Sequence, residues 1–329
     1  MSETCHPAAT VLTGLVTALV VGLLLVALVA VPWWRRHTAR LERTTEAPLQ
    51  TAPPLPSLEG VVPLPGIVVR ATPLPVVLVH GLFGFDRIGV PGARFDYFRG
   101  IAKHLETLGC HAHAVRLPPS ASVPERAREL VLAIDALPHP RIDLIAHSLG
   151  GLDARYALTH LGLARRVRSL VTVGTPHRGT PLADLAFKGA LAWPHRIVRA
   201  LGVPLAALEW LSTDALAKFN AQVLDVPSVR YCSVVGGMLR SDSAVPLALA
   251  PAHAYLRKVA GPNDGLVPIS SQYWGETLAE IEADHFAQIG WRVAMRNTFD
   301  AAGLYAFVVA RLGDGPPIEV ASAAISAPG

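Results

Sequence analysis

The residues whose types and order could carry a reaction are Ser148, Asp264 and His285. Ser148 lies in the stretch Ile142 to Gly151, IDLIAHSLGG. The apolar run Ile142, Leu144 and Ile145 predicts a buried strand, and the spacing of Leu152, Tyr156 and Leu161 predicts a helix after the turn. A serine on a sharp strand-to-helix turn has a strained backbone and a hydroxyl standing clear of the sheet, the arrangement called a nucleophile elbow. The residues two before and two after it must be small, because strand and helix backbones nearly touch there. They are Ala146 and Gly150. Alanine departs from the strict G-x-S-x-G pattern but stays small. The bland alternative, a chance serine in a tight turn, does not account for the strand and helix on either side.

A serine hydroxyl is a weak nucleophile until a base takes its proton. In a sheet of this type the chain order is serine, then acid, then histidine. His177, His195, His253 and His285 follow the elbow at a distance. His285, in Ala283-Asp284-His285-Phe286, sits in a loop after the last predicted strand, where the base belongs. His195 and His253 read as surface or cap residues, His177 as structural, and His147 as a packing neighbour of the nucleophile. Asp264, in Asn263-Asp264-Gly265-Leu266-Val267-Pro268, is read as lying in a polar turn after a strand; it can orient the imidazole. Most Asp-Gly pairs are only turn formers, but order and position favour Asp264. Asp284 is the runner-up acid, with poor reach to its own neighbour. Asp153 reads as a surface or loop-tethering residue. Negative charge developing on a carbonyl oxygen needs fixed N–H donors. The backbone amides of Leu149, at a helix N-terminus, and of Leu82, in the loop His80-Gly81-Leu82-Phe83-Gly84, are assigned that role.

The elements that must position these residues form a regular series. Val76 to Val79 is a fully apolar strand. Phe95 to Leu108 has helical periodicity, Ala112 to Val115 is a second strand, and Ser122 with Glu125 makes a capping box for a helix to about Leu137. Val167 to Val173, Val229 to Val235 and Leu278 to Ala283 complete the strands. Strands alternating with helices mean a parallel sheet covered on both faces, with the ligand crevice at the carboxyl ends of its strands. The predicted fold class is therefore α/β, mostly parallel, with a helical insertion at about 181–227. That block is apolar, with Leu182, Phe187, Trp193, Leu201 and Trp210 among its residues. It is read as a lid over the crevice rather than ordinary core, because it follows a crevice strand.

The 329 residues suffice for one large domain and an appendage, and the 51% hydrophobic content and mean hydropathy of +0.38 are high for a purely soluble chain. Val11 to Val31 carries no charge and as a helix would span about 31 Å, the thickness of a bilayer's hydrocarbon. Trp33, Trp34, Arg35 and Arg36 follow it as an interfacial edge. A cleaved signal peptide fits less well, since a positive leading region and a small-x-small cleavage site are missing. Residues 1–37 are thus expected to be a membrane anchor, and Arg35, Arg36, Arg40 and Arg43 favour a cytoplasmic domain. Residues 38–74 are a proline-rich linker, 75–312 the catalytic domain and 313–329 a tail. Cys5, Cys110 and Cys232 have no zinc spacing and exclude a disulfide framework. Net charge is +4, but the basic residues form no stripe with interleaved aromatics, so no nucleic-acid partner is expected.

Together HGLFG, AHSLGG, GTPHRGT, NDGLVP and a following DH, from about Pro75 to Gly303, resemble the true bacterial lipases of the Pseudomonas and Burkholderia type, within the α/β-hydrolase fold. The resemblance implies Ser148 as nucleophile, Asp264 as acid, His285 as base, and Leu82 and Leu149 as oxyanion donors. It implies a lipid or acyl-ester substrate and a Ser acyl-enzyme. Those lipases carry a structural calcium near the histidine. Asp242 matches one carboxylate, but Ala287 stands where the second should lie and Trp291 falls at the family's glutamine. No bound calcium, and no other cofactor, is expected. Ser270 replaces the relatives' disulfide cysteine. A short-chain esterase, thioesterase or polyester depolymerase with the same three residues is the near alternative. A tethered, non-catalytic scaffold on the same fold is the distant one.

Overall fold

The structure, a computed structural model, describes residues 68–70, 74–82, 88–90, 93–119, 121–188, 206–239, 245–291, 299–313 and 317–319. The chain divides into Met1–Ser57 and Leu58–Gly329, and every described residue lies in the second unit. Residues 11–31, read above as an anchor, are outside the described residues. Among the described residues no helix is long and apolar enough to cross a membrane.

Among the described residues ten strands run in chain order: β1 Val68–Arg70, β2 Val76–Val79, β3 Ile88–Val90, β4 Ala93–Phe95, β5 Ala112–Ala114, β6 Ile142–His147, β7 Val167–Val173, β8 Arg230–Gly237, β9 Glu276–Glu282 and β10 Pro317–Glu319. Between them lie α1 Ile101–Thr107, α2 Val123–Asp135, α3 Leu149–His160, α4 Pro181–Lys188, α5 Ala206–Glu209, α6 Thr213–Gln222, α7 Ala250–Ala260, α8 Ile269–Gln272 and α9 Ala301–Arg311. Six strands make one sheet in the order β5-β2-β6-β7-β8-β9, every pair parallel. The path goes from β2 outward to β5 and then returns past β2 to β6. The strand order therefore reverses at β2 and β6, and a crevice opens at their carboxyl ends.

Why these runs are strands follows from what covers them. Val76 and Leu78 face one core with Ile145, Val171 and Tyr305. Val77 and Val79 face another with Leu144, Ala146 and Leu170. Side chains alternate across a strand, so a strand with helices on both faces must be apolar at every position. Removing one such side chain, as in Leu144→Ala, costs about 2–5 kcal/mol. The capping box of α2 is present, with the Ser122 amide donating to Glu125 Oε2 at 2.9 Å.

Two expectations change. The helix read from Phe95 starts at Ile101; Phe95 ends strand β4, and Arg99 and Gly100 take positive φ before the helix begins. In addition β1, within the segment read as an extended linker, pairs antiparallel with β10 of the tail. Asp264 follows helix α7, not a strand. Of the block read as a lid, α4, α5 and α6 are helical as expected, and residues 189–205 lie outside the described residues.

Candidate active site

Ser148 stands between β6 and α3, as the N-cap residue of the helix, with φ 55° and ψ −130°. A positive φ is costly for a residue with a Cβ, and Ser148 shares it with Arg99 alone among described non-glycine residues. The neighbours show why the turn is so tight. A Cβ on Gly150 would meet the Val79 carbonyl oxygen at 2.7 Å, and one on Gly81 would meet Ser148 Cβ at 2.7 Å. Small residues here are a packing requirement, and the β2 loop lies directly against the elbow. The strained turn is fastened by the Ser148 amide to Val173 O at 2.9 Å and by Thr175 Oγ1 to Ser148 O at 2.8 Å.

Three residues far apart in sequence meet at this turn. His285 Nε2 is 3.0 Å from Ser148 Oγ, and His285 Nδ1 is 2.7 Å from Asp264 Oδ2. A carboxylate only accepts, so Nδ1 carries the hydrogen and Nε2 is left to accept from the serine hydroxyl. The Asp264 side chain is fully buried. Its Oδ1 accepts from the amides of Leu266 and Val267. Its Oδ2 also accepts from Gln272 Nε2 at 3.2 Å and Gln288 Nε2 at 3.1 Å. Five donors thus converge on one carboxylate. Leu149 is the first residue of α3 and fully buried, and Leu82 is half-buried beside the turn.

The loop carrying Leu82 is held from two sides. Arg126 of α2 donates to the carbonyls of His80 at 2.8 Å and Gly81 at 3.3 Å, and its Nε meets Asp153 Oδ2 at 2.8 Å. Both side chains of this ion pair are fully buried. Burial pushes the Asp153 carboxyl up to about 6, against the opposing pull of Arg126. On the other side, the Gly81 amide donates to Tyr97 Oη at 3.1 Å, and Tyr97 Oη lies 2.8 Å from His147 Nδ1. His80 fixes itself, accepting from the Leu117 amide at Nε2 and reaching its neighbour's carbonyl through Nδ1.

The other sequence candidates sort as follows. Asp284 caps the turn after β9, its Oδ1 accepting from the Phe286 and Ala287 amides. Its reach is spent there, and Asp264 holds the imidazole. Asp153 is not a surface residue; it tethers the loop through Arg126. His253 is not a surface residue either, since it is buried against Asn263 Oδ1 at 2.8 Å. His177 is buried, bonded to Thr172 Oγ1 and stacked on Trp274. His195 is outside the described residues. His147 packs beside His285 with ring centres 4.6 Å apart. Burial and the neighbouring His285 hold His147 well below the ordinary histidine range, so it stays neutral.

Sequence reasoning missed Arg126, Tyr97, Gln272 and Gln288. Gln288 lies three residues past the histidine and could have been weighed for that reason. Nothing in the sequence marks the other three.

Calcium does not fit the positions the resemblance singles out. The Ala287 side chain has no oxygen, and Trp291 Nε1 is a donor, engaged with Tyr97 O at 2.8 Å. Asp242 lies outside the described residues. Among the described residues, no group of three or more histidine, cysteine or carboxylate side chains could hold a metal ion. Cys110 and Cys232 are buried and free.

Residues 70–223 match a family described as a domain of unknown function, DUF7379, a stretch that includes Ser148 and ends before Asp264 and His285. The chain is similar to triacylglycerol lipase 2 of Saccharomyces cerevisiae, 28% identical over 282 residues that span 68% of this chain and 82% of that one. It is similar to the triacylglycerol lipase of Pseudomonas fragi, 29% identical, spanning 66% of this chain and 88% of that one. Among solved structures, the mature form of Bacillus licheniformis lipase BlEst2 aligns with a TM-score of 0.52 and 25% identity, covering 70% of this chain and 90% of that one. A reversing parallel sheet with these relatives makes the chain a lipase-like α/β-hydrolase, a carboxylic ester hydrolase.

Proposed function

We propose that the protein hydrolyses acyl esters of lipids, of the triacylglycerol kind, through an acyl-enzyme on Ser148. The observation that carries this reading is the 3.0 Å approach of His285 Nε2 to Ser148 Oγ. Ser148 Oγ attacks the ester carbonyl as His285 takes its proton. Asp264 keeps the imidazole in the needed tautomer and stabilises the imidazolium. The amides of Leu82 and Leu149 receive the oxyanion, a role in which each donor is worth a few kcal/mol. His285 then protonates the departing alcohol. A water enters and adds to the acyl carbon as His285 takes its proton; the bond to Ser148 Oγ then breaks, His285 returns the proton to that oxygen, and the acid leaves.

The test is Ser148→Ala. Hydrolysis of p-nitrophenyl esters is expected to fall to background while the thermal melt is unchanged, and a fluorophosphonate probe is expected to label the parent at Ser148. Retained turnover in the variant would overturn the reading. Absence of labelling would favour a scaffold on this fold.

The helices α4 to α6 are read as a lid over the crevice. A series of esters from acetyl to palmitoyl tests this, since a long-chain preference with activation at a lipid interface supports it. A short-chain optimum without activation favours the esterase alternative. The run Val11–Val31 is read as an anchor with the catalytic domain on the cytoplasmic side. Release of the full chain from membranes by alkaline carbonate would remove that part of the proposal. No metal or cofactor is assigned to the reaction.

A further inference from the structure

Two buried polar atoms beneath the imidazole lack hydrogen-bond partners: His147 Nε2 and Gln288 Oε1. Their protonation and orientation follow from their other contacts. The Gly81 amide donates to Tyr97 Oη, so the tyrosine hydrogen is free to go to His147 Nδ1. A neutral histidine that accepts at Nδ1 carries its hydrogen on Nε2. Gln288 turns Nε2 toward the Asp264 carboxylate, which leaves Oε1 as the acceptor. One atom is therefore a donor without an acceptor, and the other an acceptor without a donor. The Gln288 carboxamide and the His285 carbonyl are the groups placed to bond the His147 ring.

The space for Gln288 is built into the sheet. A Cβ on Gly236 at the end of β8 would come within 2.9 Å of Gln288 Cδ, and one on Gly174 after β7 within 3.2 Å. The carboxamide thus occupies a niche that two glycines leave open. An unpaired buried polar atom is costly, so a niche holding a complementary pair favours their joining.

We propose that Tyr97, His147 and Gln288 are positioning residues that form one neutral strut beneath the triad. It runs from the Gly81 amide of the oxyanion loop through Tyr97 and His147 Nε2–H to Gln288 Oε1, and from Gln288 Nε2 to Asp264. The proposal rests on the ester-hydrolase reading above. Its consequence is that the acid and the oxyanion loop are set together. Neutrality matters, because a charged ring 4.6 Å from His285 would oppose the imidazolium formed in each step.

The experiment is a double-mutant cycle on the full chain with Tyr97→Phe and Gln288→Met, using p-nitrophenyl butyrate. Each single change is expected to lower kcat about tenfold with KM within about twofold, because only alignment in the transition state is lost. The double variant is expected to be little worse than the worse single, since both cut the same strut. Two losses that multiply, or a Gln288→Met enzyme keeping more than half the parental kcat, would overturn the strut. If Gln288→Met shows no cooperative melt, Tyr97→Phe decides alone, and a kcat close to the parent's overturns it. Failure of the hydrolase reading looks different: the parent itself would neither turn over the ester nor take up the fluorophosphonate.

Discussion

Ser148 has two flanks, and they are braced by different chemistry. On one side the loop of Leu82, to which the oxyanion role is proposed, is held by a guanidinium, Arg126, that bonds the His80 and Gly81 carbonyls and pairs with Asp153 in full burial. On the other side Asp264 is held by two backbone amides of its own turn and by the neutral carboxamides of Gln272 and Gln288. The first brace is charged and reaches across 46 residues of sequence; the second is neutral apart from the Asp264 carboxylate and mostly local. A charged brace is strong when complete, costly when halved and sensitive to pH, whereas a carboxamide brace does not titrate. The oxyanion flank should therefore be the more fragile of the two.

The largest expected effect comes from halving the charged brace. Asp153→Ala leaves Arg126 buried without its counter-ion, and loss of one partner of such a pair costs about 3–5 kcal/mol. Urea unfolding at neutral pH measures this. Activity on p-nitrophenyl esters should fall as well, because the loop that presents the Leu82 amide loses its anchor. A loss below about 1 kcal/mol, the level of a surface pair, would remove the distinction between the flanks.

A second effect sharpens the contrast through pH. Burial raises Asp153 to about 6 in the folded chain, above its ordinary value of about 3.9. Between those values the folded chain holds more protons than the unfolded one. This carboxyl therefore contributes stability that is present at low pH and fades as the pH rises through about 6. Asp153→Asn lacks the proton uptake. The parent's stability minus the variant's should rise as the pH falls from 7 to 4, by up to about 3 kcal/mol at about 1.4 kcal/mol per pH unit. A signed difference that falls instead would mean that Arg126 outweighs burial.

The two flanks also differ in how much of them the sequence announces. The acid turn is readable because Asp264, Gly265 and the two amides that bond Oδ1 lie within four residues. The elbow is readable because strand, small residue, serine and glycine are contiguous, and the sheet is readable because Val76–Val79 is apolar at every position. Arg126 and Asp153 carry no such mark. Each sits on a helix where a charged residue is ordinarily a solvated one, and only the packing of α2 against α3 and the β2 loop buries them together. Tyr97 was hidden for a related reason: Phe95 to Leu108 has one helical periodicity, and the break at Arg99 and Gly100 is a backbone feature. The β1–β10 pair joins opposite ends of the domain, where three-residue strands leave little periodicity to read.

The smallest expected effect concerns whether a metal helps to brace the acid flank. The lipases this chain resembles carry a structural calcium near the catalytic histidine. Here hydrogen bonds tie the segment after His285. Asp284 caps the Phe286 and Ala287 amides, Gln288 bonds Asp264, and the Trp291 indole donates to Tyr97 O. That last bond also reaches toward the opposite flank, since Tyr97 accepts from the Gly81 amide. If hydrogen bonds alone brace the acid, dialysis against EDTA should leave the melting temperature and the ester turnover within error of the untreated protein, and added calcium should change neither. A drop on chelation that calcium reverses would show that the acid flank also depends on a charged brace. The two sides of Ser148 would then share one strategy, with a cation on each.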